Sequence, residues 1–169
     1  MKLWSSILGA ITLSLMLMSS TCKVGLTDAS FPPELKTVTI QEFVNNSNSV
    51  VPGMSQRLSQ ELRDKFNNET NLLQIKFDGD WEFGGTITRY QITAISPTGD
   101  DVTALNRLTI AISVDFDNRL TEEESWSNSF SRYADFESTQ QLSDVEDGLI
   151  EEINSQLVQD IFNKVASNW

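Results

Sequence analysis

Between Leu108 and Phe116 the side chains alternate without a break. Leu108, Ile110, Ile112, Val114 and Phe116 take one parity, and Thr109, Ala111, Ser113, Asp115 and Asp117 take the other. Successive residues of a strand point to opposite faces, so this segment builds a strand with one buried and one open face. A sheet with one apolar face needs a cover. The C-terminus supplies it: Leu142, Val145, Leu149, Ile153, Leu157, Ile161 and Val165 recur at three- and four-residue spacing, as on the apolar stripe of a helix. Ser143 and Glu146 match the S-x-x-E capping box, with Asp144 in the first turn. Met54, Leu58, Leu62 and Phe66 place a second stripe on a helix that begins after Pro52-Gly53 and ends near Asn67-Asn68.

The other segments read as strands and turns. Val38 and Ile40 mark a first strand within Lys36 to Val44, and Asn45 to Ser49 is a polar loop. Residues 71–77 predict a short strand, with Asp78-Gly79 as a hairpin turn into a long strand from Trp81 to Ile95. Within that strand Phe83, Gly85 and Ile87 share one parity, while Tyr90, Ile92 and Ala94 take the other, which predicts a β-bulge near Thr88-Arg89. A turn at Pro97 to Asp101, an acidic loop at Asp117 to Glu124 and a last strand with Trp126, Phe130, Ala134 and Phe136 on one face complete the order β-α-β-β-β-β-α. The expected class is α+β: a two-layer α/β sandwich with two helices packed on a mainly antiparallel sheet.

The N-terminus is an address. Lys2 is the only charge before Lys23, and the apolar stretch from Ile7 to Met18 is shorter than the roughly 20 residues that span a bilayer. Residues 1–21 therefore read as a signal peptide, and the single cysteine, Cys22, stands where a bacterial lipoprotein is cut and acylated. Ser19 and Thr21 depart from the usual residues around such a cysteine; the alternative is a plain signal with Cys22 near its end. Residues 22–35, with Pro32-Pro33, form a tether, and 36–169 the folded domain. Cleavage before Cys22 removes Lys2, leaving 11 basic and 24 acidic side chains, a formal charge of −13.

Composition excludes several chemistries. With no histidine there is no Ser-His-Asp or Cys-His set and no imidazole metal ligand. A lone cysteine makes no internal disulfide and no thiolate zinc site. The acidic balance argues against nucleic acid, which needs a basic face. Asp100-Asp101, Glu122-Glu123-Glu124 and Glu151-Glu152 are adjacent residues that diverge on strands or helices, so solvated faces explain them better than acid/base pairs. No catalytic residue, metal site or cofactor is expected. Gly84-Gly85 lies within a strand, so close packing or curvature explains it better than a phosphate cradle. Trp126, Phe130, Tyr133 and Phe136 suit either a lipid-facing patch or ordinary core.

Longer segments carry a resemblance. Residues 104–110 (ALNRLTI), 129–136 (SFSRYADF) and 145–153 (VEDGLIEEI) resemble the LptE family of lipopolysaccharide-assembly lipoproteins. Phe31-Pro32-Pro33, the run of Phe83, Gly85, Ile87 and Tyr90, and the ending Ile161-Phe162-Asn163-Lys164 extend it from about Phe31 to the C-terminus. The resemblance implies a non-enzymatic outer-membrane lipoprotein, anchored by lipid on the periplasmic side or inside a barrel lumen. Its implied role is plug and assembly subunit of the LptD β-barrel translocon, which inserts lipopolysaccharide into the outer leaflet. If lipopolysaccharide is bound directly, Arg89, Arg107, Arg119 and Arg132 are the best available contacts for its phosphates; the other reading pairs them with neighbouring carboxylates. The alternative function is a stand-alone periplasmic lipid- or glycan-binding lipoprotein.

Overall fold

In a computed structural model, which describes residues 31–49, 51–96 and 104–166, the two stripes and the alternating segment find each other. The elements are β1 (Thr37–Ile40), β2 (Val44–Asn45), α1 (Met54–Glu69), β3 (Leu73–Gln74), β4 (Trp81–Ile95), β5 (Leu105–Asn118), a 3₁₀ turn (Glu122–Glu124), β6 (Trp126–Glu137) and α2 (Leu142–Ala166). The expected order holds, with the first strand in two pieces. The sheet runs β3-β1-β4-β5-β6, and β2 also pairs with β4. The long strands β4, β5 and β6 are antiparallel. β1 lies parallel to β3 and β4, and β2 parallel to β4.

Those parallel pairs correct the hairpin expectation at Asp78-Gly79. Parallel neighbours require a crossover, and α1 provides it between β1 and β3. β3 and β4 then both pair with β1 and not with each other. The turn chemistry itself is real: Asp78 adopts a left-handed φ of 59°. A Cβ on Gly79 would lie 2.7 Å from the Thr39 backbone nitrogen, so the chain passes against β1 here. Pairing contracts to two residues, and Leu73 and Phe77 are exposed.

The bulge falls where the parity changes. Ile87 pairs with Ile112 and Arg89 with Ala111, leaving Thr88 as the extra residue. This keeps Phe83, Ile87 and Tyr90 on the helix-facing side, where all three are buried. Gly85 sits on the same side under Phe43. A Cβ there would come within 2.5 Å of both Phe43 Cε1 and the Ser113 carbonyl oxygen, so close packing explains this glycine.

Both helices cover one face of the sheet. Met54, Leu58, Leu62 and Phe66 of α1 are buried together with Leu149, Ile153, Leu157, Ile161 and Val165 of α2 and the inner residues of β5. Phe66 joins the layers, with ring centroids 5.0 Å from Phe83 and 5.3 Å from Phe162. Truncating such a residue to alanine costs about 3–5 kcal/mol. The expected capping box does not form. α2 begins at Leu142, one residue before Ser143, whose hydroxyl bonds Asp144 Oδ1 at 3.1 Å. Glu146 instead accepts a hydrogen bond from the Tyr90 hydroxyl, tying the start of α2 to β4.

Candidate functional site

The register places small and hydroxylated side chains on the sheet face opposite the helices: Thr86 and Thr93 of β4, Thr109, Ala111 and Ser113 of β5, and Ser129 and Ser131 of β6. Short polar side chains leave this face flat. The inner face carries the apolar partners one residue away, so the period-2 alternation alone separates core from open surface.

Of the four arginines, Arg89 and Arg107 project from the long strands on the open face. Arg107 of β5 donates from Nε and Nη2 to the two carboxylate oxygens of Asp135 on β6, at 2.7 and 2.8 Å. Its guanidinium carbon lies 3.5 Å from the ring centroid of Tyr133, so the group is both bonded and stacked. The Arg107 guanidinium holds the Asp135 carboxyl below its ordinary value. Arg89, beside the bulge and opposite Ala111, is exposed and makes no hydrogen bond or ion pair among the described residues. It offers a guanidinium without an internal counter-charge.

The other two are held by carboxylates, Arg119 at the end of the open face and Arg132 on the helix side. Arg119, just past β5, donates to Asp78 Oδ1 at 2.7 Å and Glu82 Oε2 at 2.6 Å. Arg132 points from β6 to the helix side and makes a two-pronged pair with Asp160 of α2, at 2.6 and 2.5 Å. The four do not converge. Arg107, Arg119 and Arg132 each hold a structural carboxylate, while Arg89 is unengaged. Cys22 lies outside the described residues.

The aromatic residues of β6 separate by face. Trp126 packs 5.3 Å from Phe116 and 6.2 Å from Phe130 at the core margin, and Phe136 is buried. Tyr133 alone faces outward, half exposed beneath Arg107. The acidic loop is organised by a residue the sequence reading passed over. Buried Asn118 donates to Glu124 Oε2 and accepts the backbone N–H groups of Leu120 and Thr121. Among the described residues, no three acidic or cysteine side chains are placed to hold a metal ion, and no helix is long and apolar enough to cross a membrane.

A second feature missed in the sequence is a groove of about 420 Å³ between α1 and α2, over Ile150 and Asn154. The signal was present: Asn154 interrupts the line Ile150, Val158, Phe162 at the place where an apolar residue is expected.

A family model for lipopolysaccharide assembly, LptE, matches residues 35–165, almost the whole folded domain. The chain belongs to the LptE family. Members are non-enzymatic lipopolysaccharide-assembly lipoproteins of the outer membrane. The chain shares its fold with the rare lipoprotein B of Shewanella oneidensis at 13% identity and a TM-score of 0.54, covering 76% of this chain and 96% of that one. A protein from Xanthomonas campestris shares it at 10% identity and a TM-score of 0.52, covering 82% and 90%. No individually curated protein matches the sequence.

Proposed function

We propose that this LptE-family lipoprotein is the plug and assembly subunit of an LptD-like β-barrel that inserts lipopolysaccharide into the outer leaflet. In this reading residues 1–21 are removed, acyl chains on Cys22 hold the protein at the outer membrane, and residues 22–35 are the tether. The observation that carries it is the family match across residues 35–165.

Physical chemistry supports the role. The lumen of a wide barrel is polar, so an occupant needs polar outer faces and a core that stands by itself. The flat hydroxyl-rich sheet face meets the first demand, and the core between sheet and helices meets the second. A lipid tether raises the effective concentration of such an occupant beside its barrel. Arg89, exposed on the open face and unengaged among the described residues, is the first proposed contact for lipopolysaccharide phosphates; Arg107, Arg119 and Arg132 are further from that role because carboxylates already hold them.

Two measurements test the proposal. Mild-detergent extraction and affinity purification of the native lipoprotein is expected to recover a large barrel in near-stoichiometric amount. Depletion is expected to lower surface lipopolysaccharide. Normal surface lipopolysaccharide after depletion overturns the transport role, and recovery of co-purified lipid with no barrel would favour the stand-alone lipid-binding lipoprotein.

A further inference from the structure

The open face is hydroxylated on the long strands and apolar beside the root of the tether. Residues 72–77 alternate as a strand does. Leu72 packs against the core and the Gln74 side chain donates to the Arg63 carbonyl of α1, while Leu73, Ile75 and Phe77 take the other parity. Leu73 is 65% and Phe77 68% exposed, and Leu120, beside Arg119, is 44% exposed. The Asp78–Arg119 pair, at 2.7 Å, brings the stretches that carry Phe77 and Leu120 to one end of the sheet. The Lys76 ammonium lies 5.2 Å from the centre of the Phe77 ring. An aromatic ring, aliphatic side chains and a lysine on a long stem suit a membrane–water interface, where the apolar groups enter and the ammonium reaches the phosphates.

The path of the chain decides the occupant. The Leu73 N–H donates to the Lys36 carbonyl at 2.9 Å. Five residues before Lys36, the Phe31 ring packs 5.2 Å from Trp81, the first residue of β4. Only residues 23–30 separate Phe31 from Cys22, a span of about 30 Å even when fully extended. The far end of the β4–β5 hairpin, at Ile95 and Leu105, lies roughly 45 Å further along the strands. Acyl chains on Cys22 therefore hold the Leu73–Phe77 end beside the bilayer and the hairpin end away from it. The carboxylates closest to Phe77 along the chain are engaged, Asp78 by Arg119 and Asp80 by the start of β1.

We infer that Leu73, Lys76 and Phe77, with Leu120 beside them, form a second membrane contact, which seats this end of the sheet on the phospholipid leaflet that holds the acyl chains. The inference rests on acylation of Cys22 and not on the barrel.

The test uses the native lipoprotein, purified without a barrel and placed one copy to a nanodisc of phosphatidylethanolamine and phosphatidylglycerol, with a nitroxide on the acyl chains of some lipids. Mass spectrometry of the same sample reads Cys22. Nuclear magnetic resonance of leucine methyl groups then compares Leu73 and Leu120 with Leu105 at the hairpin end. The nitroxide is expected to broaden Leu73 and Leu120 well beyond Leu105, and a water-soluble relaxation agent to do the reverse. Phe77→Asp is expected to lower the ratio of seated to unseated domain about tenfold, while Phe77→Trp keeps it. Melting curves of both variants should match the native protein, because the side chain they replace is exposed. A bare Cys22 overturns the anchor and the inference together. An acylated Cys22 with equal broadening at all three leucines overturns the inference alone. Broadening that appears only with several copies per disc assigns a second copy as the occupant, and shielding of Leu73 from water only when a barrel is added assigns the barrel wall; either overturns the membrane contact.

Discussion

Asp80 and Thr37 hold each other in both directions: the Thr37 hydroxyl donates to Asp80 Oδ2 at 2.8 Å and accepts the Asp80 backbone N–H at 2.9 Å. The same carboxylate oxygen accepts the backbone N–H groups of Lys36 and Thr37, each at 2.9 Å. The start of β1 is thereby fastened to the entry of β4, which no ladder bond from β3 could do. The Lys36 N–H is the largest reason that the Asp80 carboxyl sits below its ordinary value, with Thr37 adding to it. Asp80→Ala is expected to cost about 1–3 kcal/mol at neutral pH. A depressed carboxylate contributes stability above its unfolded value and loses it as pH falls through the lower folded value. The difference between native and variant melting temperatures should therefore be full above pH 5 (roughly one unit above the unfolded carboxylate) and shrink in acid. A difference unchanged into strong acid would show that the contribution is not electrostatic.

Gly84 and Gly85 are neighbours with opposite tolerance. At Gly85 an added methyl group meets the Phe43 ring and a β5 carbonyl oxygen at 2.5 Å, and the carbonyl belongs to a paired strand that cannot retreat. At Gly84 the nearest atom is the end of the Gln41 side chain, 3.5 Å away. Gly85→Ala is expected to cost about 3 kcal/mol through overpacking, while Gly84→Ala stays within about 0.5 kcal/mol of the native protein. Thermal or urea unfolding of the two variants side by side checks this, and equal stability would mean that Phe43 moves aside freely.

The contrast between what periodicity revealed and what it missed has a physical basis. The α1 stripe, the alternation through β5 and the bulge at Thr88 are local patterns, carried by residues within a few positions of one another. The partner of β3 is not local: Asp78-Gly79 has the composition of a hairpin turn, and only the α1 crossover makes the pairing parallel. Ser143 and Glu146 have the spacing of a capping box, but Tyr90, far away in sequence, takes the glutamate. The arginines behave likewise. Their type and strand positions were legible, whereas Arg107 finding Asp135 and Arg132 finding Asp160 depends on chain segments 28 residues apart. The helix groove exists only once α1 lies beside α2.

Arg89 and Arg132 separate a binding role from a structural one. Arg89 is exposed and unengaged among the described residues, so Arg89→Glu is expected to leave the melting temperature within about 1 °C of native, as surface substitutions do. If the open face meets lipopolysaccharide phosphates, the same substitution lowers affinity for lipopolysaccharide micelles several-fold, and more so at low salt. Arg132→Ala should do the reverse: it removes the two-pronged bridge from β6 to α2 and leaves Asp160 without its partner, lowering the melting temperature while leaving micelle binding intact. Fluorescence titration paired with thermal melts reads both. Unchanged micelle binding by Arg89→Glu would remove Arg89 from the proposed contact surface.

Asn154 is expected to be a cost to the fold. Its side chain is buried between α1 and α2 with an oxygen that accepts nothing, a deficit worth about 1–3 kcal/mol. Asparagine is also a weaker helix former than alanine by roughly 0.6 kcal/mol. Against these stands the loss of the packing contacts of a side chain only 2% exposed, which offsets part of the gain. Asn154→Ala should therefore stabilise the protein by about 1 kcal/mol, or about 3 °C in a domain of this size. Ile150→Ala, one turn earlier and fully buried, should destabilise by about 2–5 kcal/mol. Loss of stability in Asn154→Ala would instead mean that the amide is satisfied in solution, by water or by a rearranged neighbour.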